Sequence, residues 1–358
     1  MSTLIFMMRI LILAWLTCSC TILWADASQM LAPALKKGDL IALVFPASYL
    51  ECDDENAVLR KKALWLQAKG YRTSFYPTTV SPKGYLAGTD KERAAALMDA
   101  WKNPEVKAIW CFRGGYGTPR LLDELDYDWI KSHPKILIGM SDITALHNAI
   151  QMKTGLVTFL GPVLNYFGND NDGFDDDYAL SQLEPTLTAA KPRKIELPTL
   201  GPHLTVIKRG KAQGRFVGGN LSLIAALCGT PWELKTQGKI LVLEDVGEKA
   251  YRIDRLLWQL EESGLLENPA AVILGGWEAC SSTNNISLEQ VFKEYFGNKT
   301  YPVILNFPSG HIKYQATIPL NALGEIDTEK NRISILEPSV QANLVEDKLK
   351  TSHATQKK

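Results

Sequence analysis

Between residues 40 and 150, short apolar runs alternate with segments whose apolar residues recur at helical spacing, and this alternation limits the chain to few folds. Residues 40–45 read as a strand ending at Pro46-Ala47-Ser48. Residues 55–69 read as an amphipathic helix closed by Gly70. A second strand spans 71–76, and Thr89-Asp90-Lys91-Glu92 has the spacing of a capping box ahead of a helix running towards Trp101. Further strands follow at 106–112 and 136–138. Such β-α repetition predicts an α/β fold with a doubly wound parallel sheet, helices on both faces and ligand sites at the carboxyl ends of the strands.

Two stretches fall at such ends. The strand at 136–138 runs into Gly139-Met140-Ser141-Asp142, after which Ile143, Leu146 and Ile150 recur with helical spacing. Ser141 therefore sits between strand and helix, its hydroxyl beside unpaired backbone N–H groups. A serine in that position can attack a carbonyl while the N–H of Asp142 stabilises the oxyanion. For a lone serine ahead of a helix, capping is the commoner role. The second stretch, Arg113-Gly114-Gly115-Tyr116-Gly117, follows the third strand. Its glycines allow close approach of backbone to ligand, but it has neither the GK[ST] of a phosphate loop nor GxGxxG spacing. One crossover before Ser141, it is the natural second donor to an oxyanion.

A chain of 358 residues predicts two domains. Lys+Arg and Asp+Glu are equal at 39 each, so there is no basic field to attract a phosphate backbone, and nucleic acid is not expected as a partner. Residues 1–27 have the layout of a secretory signal: Arg9, an apolar run over 10–24, then Ala25-Asp26-Ala27. They predict cleavage after Ala27 and a periplasmic protein. The run is also long enough to remain as an inner-membrane anchor, which would be the sole membrane contact. Cys52, Cys111, Cys228 and Cys280 are scattered without CxxC spacing and read as mostly buried thiols, with no metal site.

The domain reading is a nucleophile domain over 36–165, a polar linker over 166–203, a second domain over 204–338 and a polar tail over 339–358. Within the linker, the acidic run 169–177 lacks the closing glutamate of a calcium loop. The second half opens a helix at Gly218-Gly219-Asn220 and carries a strand at 239–243 and an amphipathic helix at 251–263. Further strands at 271–274, 303–306 and 316–320 make it a smaller α+β, barrel-like domain.

A serine nucleophile needs a base, and histidine held by a carboxylate is the usual one. Of five histidines, His353 lies in the tail, His133 in a loop, His203 in the linker, and His147 on the Ser141 helix facing away from the turn. His311, after Phe307-Pro308-Ser309-Gly310, remains by elimination. For the carboxylate, Glu244 and Asp245 end an apolar strand and Glu248 follows closely. Strand alternation lets only one of the adjacent pair face the histidine, and the residues alone leave all three open.

Taken together, Arg113-Gly-Gly-Tyr-Gly, Gly139-Met-Ser141-Asp142-Ile-Thr-Ala-Leu-His, Gly218-Gly-Asn-Leu-Ser, Leu243-Glu244-Asp245-Val-Gly-Glu and Tyr251-Arg-Ile-Asp-Arg resemble the L,D-carboxypeptidase family of serine peptidases. That family also includes the microcin C immunity proteins, and the resemblance covers about residues 36–336. It implies Ser141 as nucleophile, Glu244 and His311 as its partners, and the N–H groups of Gly115 and Asp142 as the oxyanion hole, with no metal or cofactor. It also implies a homodimer and, as substrate, a murein stem tetrapeptide losing its terminal D-alanine through an acyl-enzyme. The alternatives are a hydrolase of peptide-nucleotide antibiotics and an inactive murein-peptide binding module. Ile143 in place of the second glycine of G-x-S-x-G argues against a generic α/β-hydrolase esterase. The murein-recycling branch usually lacks a signal, so a cytoplasmic location is the alternative to export.

Overall fold

The computed structural model describes residues 29–342 apart from 53, 77–82, 169–172 and 202. The expected signal at 1–27, His353 and most of the expected tail lie outside the described residues. The first sheet contains β1 (Leu40–Val44), β2 (Arg72–Tyr76), β3 (Val106–Cys111), β4 (Ile136–Gly139) and β5 (Thr158–Leu160). They are parallel in the order β2-β1-β3-β4-β5. Helices α1 (Glu55–Ala68), α2 (Asp90–Lys102), α3 (Tyr127–Ser132) and α4 (Thr144–Thr154) connect them. The inner strands are largely apolar because helices cover both faces, and Ile41, Leu43, Leu137, Ile138 and Phe159 are all fully buried, whereas the edge strand β2 carries Arg72, Thr73 and Ser74. The capping box at α2 forms as its spacing predicts: Glu92 N–H donates to Thr89 Oγ1 at 3.3 Å and Thr89 N–H to Glu92 Oε2 at 2.7 Å.

The region read as a linker contains a helix, α5 (Asp176–Thr188). Asp175 caps it by accepting from Tyr178 N–H at 2.9 Å, and Asp176 and Asp177 occupy its first turn, where the helix dipole favours negative charge. Ala179, Leu183 and Leu187 then form one stripe packed into the core of the first domain. The acidic run therefore opens a helix that belongs to the nucleophile domain.

The second sheet contains β6 (Arg193–Lys194), β7 (Thr205–Lys208), β8 (Lys211–Asn220), β9 (Ile240–Val246), β10 (Ala271–Glu278) and β11 (Val303–Leu305). After β12 (Ile318–Leu320), the sheet is completed by β13 (Leu323–Asp327) and β14 (Arg332–Ile335). Its order is β6-β14-β13-β8-β9-β10-β11-β7, with β8 to β11 parallel and the flanking strands antiparallel. One face packs on α6 (Leu221–Leu227), α7 (Ala250–Glu262) and α8 (Leu288–Phe296), burying Leu241 and Leu243 with Ile253, Leu257 and Phe292. The opposite face buries Ile240 and Val242 with Met140, Leu160, Phe307 and Ile318, so it packs against the first domain.

Two segments cross the expected boundaries. β12 leaves the second half and pairs antiparallel with β5, Ile318 opposite Leu160, as an edge strand of the first sheet. In the expected tail, Val340 is buried in the first core, and Gln341 exchanges backbone hydrogen bonds with Ala32 and Ala34. The thiols also depart from expectation. All four are free, but only Cys111 is buried; Cys228 and Cys280 are half-buried and Cys52 is exposed. Among the described residues no helix is long and apolar enough to cross a membrane.

Candidate active site

Ser141 is held at φ 62°, in the left-handed region that a residue with a side chain rarely occupies. The cap positions of this turn and of the helix after it fall on Met140 and Ile143, so Ser141 is not used as a helix cap. Two glycines make the turn fit. A Cβ on Gly139 would lie 2.9 Å from Ile143 Cγ2, and one on Gly114 would lie 2.9 Å from Ser141 Cβ and 3.2 Å from its Oγ. The end of β4 is braced from beneath. His147, expected to face away from the turn, is fully buried, and its Nε2 donates to the Gly139 carbonyl at 2.9 Å. Burial holds its pKa down at about 4, so this imidazole is neutral and structural.

The glycine stretch runs beside this turn, with Gly115 at φ 121° and Gly117 at φ 124°. Among the described residues neither the N–H of Gly115 nor that of Asp142 is taken by another group, so both remain available to an incoming anion.

The choice among the three acids is decided by which face of β9 meets the first domain. Glu244 follows Ile240 and Val242 on the face turned to that domain, and Asp245 follows Leu241 and Leu243 on the face turned to the helices. Glu244 is fully buried and its Oε2 accepts from His311 Nδ1 at 2.8 Å. This bond fixes the tautomer and leaves Nε2 free to take a proton. Burial disfavours the imidazolium, but the hydrogen bond to Glu244 and its charge outweigh that, and the His311 pKa lies above the ordinary histidine value. Gly310 is required here: at φ 111°, its Cβ would lie 2.8 Å from Glu244 Oε2. Asp245 instead accepts from Asn220 Nδ2 at 3.0 Å and from Ser222 N–H and Oγ at 3.0 and 2.7 Å, tying down the start of α6. Glu248 pairs with Arg252 at 3.3 Å.

The two halves are brought together by connections no local pattern announces. His311 lies between β11 of the second sheet and β12 of the first, so its loop spans both domains. Asn220, in register with Glu244, donates its N–H to Thr144 Oγ1 at 2.9 Å, in the first turn of the helix that Ser141 precedes. A Cβ on Gly219 would lie 2.4 Å from that same oxygen. No hydrogen bond joins Ser141 to His311. The remaining described histidines stand apart: His133 stacks on Trp129 at 4.0 Å between centroids, and His203 is exposed. Sequence reasoning assigned no role to Ser48, Thr118 or Thr144. The one available signal was the position of Ser48 at the carboxyl end of the first strand. Among the described residues no cluster of three or more His, Cys, Asp or Glu converges as metal ligands would.

A left-handed serine at a strand-to-helix turn, free N–H groups beside it and a carboxylate-held histidine on a facing domain define a two-domain α/β hydrolase of the serine type. More narrowly, the chain belongs to the LD-carboxypeptidase family: its N-terminal domain model matches residues 41–161 and its C-terminal domain model residues 213–326. The "Probable murein peptide carboxypeptidase" of Bacillus subtilis (strain 168) is 36% identical over 322 residues, covering 89% of this chain and 96% of that protein. The murein tetrapeptide carboxypeptidase of Pseudomonas aeruginosa is 35% identical over 278 residues, 76% of this chain and 87% of that one. Among solved structures, the Escherichia coli microcin C7 self-immunity protein MccF in complex with aspartyl sulfamoyl adenosine has a TM-score of 0.80 at 30% identity, covering 87% of this chain and 100% of that one. The chain is a serine carboxypeptidase by family.

Proposed function

We propose that this protein removes the terminal D-alanine from murein stem tetrapeptides, with Ser141, His311 and Glu244 as its catalytic residues. The observation that carries this reading is the His311–Glu244 pair, 2.8 Å apart on the domain facing a left-handed Ser141. In the reaction, Ser141 Oγ attacks the carbonyl carbon of the bond between an L-centre and D-alanine, giving its proton to His311 Nε2. The resulting oxyanion sits on the Gly115 and Asp142 N–H groups. His311 then protonates the departing amine as the C–N bond breaks. Water, deprotonated by His311, finally attacks the acyl-enzyme, and the ester C–O bond breaks as His311 returns that proton to Ser141 Oγ and the tripeptide leaves. Glu244 orients the ring throughout and stabilises the imidazolium each time it forms.

Mass spectrometry of a purified murein tetrapeptide incubated with protein lacking residues 1–27, beside a Ser141→Ala control, tests the reading. Loss of one alanine residue with wild type alone supports it; no loss by folded wild-type protein rejects it. The structural likeness to MccF supports a second substrate class, aminoacyl nucleotides, which the same assay reads by cleavage of aspartyl sulfamoyl adenosine. Residues 1–27 support export to the periplasm, and recovery of the protein only from cytosol on fractionation would defeat that. The family resemblance supports a homodimer, which sedimentation at micromolar concentration tests.

A further inference from the structure

The glycine stretch that carries the Gly115 N–H is fixed at both ends by side chains that have no place in the reaction itself. At its entrance, Gly114 O accepts from Ser48 N–H at 3.4 Å and Ser48 Oγ accepts from Tyr116 N–H at 3.2 Å. The fit is close, since a Cβ on Gly115 would fall 2.2 Å from Ser48 Oγ. Ser48 thus occupies the N–H of Tyr116 and leaves that of Gly115 free. At the exit, Thr118 is fully buried; its N–H donates to Asp142 Oδ2 at 2.8 Å and its Oγ1 to the Asp142 carbonyl. Between them, Gly117 rests on Arg93, a buried guanidinium that donates to the Pro46 carbonyl and pairs with Asp90 at 2.5 Å. Burial pushes the Asp142 carboxyl up, and the Thr118 N–H opposes that shift.

Asp142 therefore meets the stretch twice over. Its own N–H is one candidate oxyanion donor, while its carboxylate and carbonyl grip the loop that bears the other. We infer that Thr118 and Ser48 are positioning residues that set the separation of the two oxyanion donors, with the Asp142 side chain as the shared anchor. The inference rests on Gly115 and Asp142 serving as those donors. It follows from preorganisation: donors stabilise a developing charge in proportion to how little they must move, and misplacement by about 1 Å costs on the order of a hundredfold in rate. A clamp of this kind acts on the oxyanion of the tetrahedral state and leaves ground-state binding, in which the scissile carbonyl is neutral, unchanged.

The test is the rate at which a fluorophosphonate probe labels Ser141, because phosphonylation places an oxygen in the same hole without requiring murein specificity. Thr118→Val keeps the shape and the N–H but removes the hydroxyl donor; it is expected to slow labelling about 10- to 100-fold. Thr118→Ser restores the hydroxyl and should restore the rate, which a purely structural methyl contact would not do. Ser48→Ala loosens the other end and should slow labelling by a smaller factor; it also keeps the test decisive if Thr118→Val fails to fold. With a turned-over tetrapeptide, kcat should fall with KM unchanged. Labelling of folded Thr118→Val and Ser48→Ala at the wild-type rate would overturn the clamp. If wild type labels readily but leaves murein tetrapeptide intact, the substrate assignment fails while the clamp is still read from the labelling rates.

Discussion

The two halves of the site are built in opposite ways. Ser141 and Asp142 belong to one continuous strand, turn and helix, in which a left-handed Ser141 packs on Gly114 while Ile143 closes over Gly139. Glu244 and His311 lie 67 residues apart, on the end of a buried strand and on a loop that leaves one sheet for the other. The first half is strained and is held mainly by contacts within the first domain, with one bond from Asn220 to Thr144 reaching it from the second. The second has one well-formed hydrogen bond, at 2.8 Å between His311 and Glu244, and depends on the connections that hold the domains face to face. The nucleophile half should therefore lose activity without losing stability, whereas damage to the histidine half should show in both.

The largest effect expected is at Ser141. Ser141→Ala and Ser141→Gly should each reduce turnover by about ten-thousandfold or more. Glycine should also raise stability by about 1 kcal/mol, because it adopts φ 62° without the steric cost a Cβ brings. Equal or lower thermal stability of Ser141→Gly would remove the claim of local strain. On the other side, Glu244→Gln should lower kcat by roughly a hundredfold to ten-thousandfold, through loss of the fixed tautomer and of the negative charge that stabilises the imidazolium.

The same variant sharpens the comparison through pH. In the proposed reaction His311 acts as base when neutral, and its folded pKa is raised, so the acid limb of kcat/KM should lie above pH 6.5 in wild type and move down in Glu244→Gln. The linkage has a definite sign. A raised folded pKa contributes stability that is fully present below the unfolded value of about 6.5 and is lost as pH rises through the folded value. His147 runs the other way: held near 4, it contributes stability above about 6.5 that is lost as pH falls through its folded value. A limb that stays in place in Glu244→Gln would show that the pair does not control the base.

Smaller effects should separate the two halves further. Gly310→Ala places a methyl 2.8 Å from Glu244 Oε2 at φ 111°, and should lower both activity and melting temperature, with a stability loss of about 1–3 kcal/mol. Unchanged melting would mean that the loop yields freely. Smallest of all, Asp245→Asn leaves one buried donor of Asn220 or Ser222 facing another donor, and should cost about 1–2 kcal/mol in denaturant unfolding. Its kcat should change far less than that of Glu244→Gln. A larger loss of kcat at Asp245 than at Glu244 would reverse the assignment of the acid.

Local chemistry determined much of this molecule in a form that can be read from the chain. Apolar strand runs, the Thr89 to Glu92 capping box and the Gly139 to Ile150 transition all depend on neighbours within a few residues, and the structure realises them where the pattern put them. The helix at Asp176–Thr188 was legible too, from Asp175 as a cap and Ala179, Leu183 and Leu187 at four-residue spacing, but its acidic start masked it. What only the tertiary structure decided is what relates distant segments. Alternation along β9 says that Glu244 and Asp245 face opposite ways, and only the packing of Ile240 and Val242 against the first domain says which way is towards His311. The passage of β12 into the first sheet, the bond from Asn220 to Thr144 and the grip of Thr118 on Asp142 likewise pair residues with no shared local pattern. Side-chain periodicity encodes a face; which partner covers that face is a property of the folded chain.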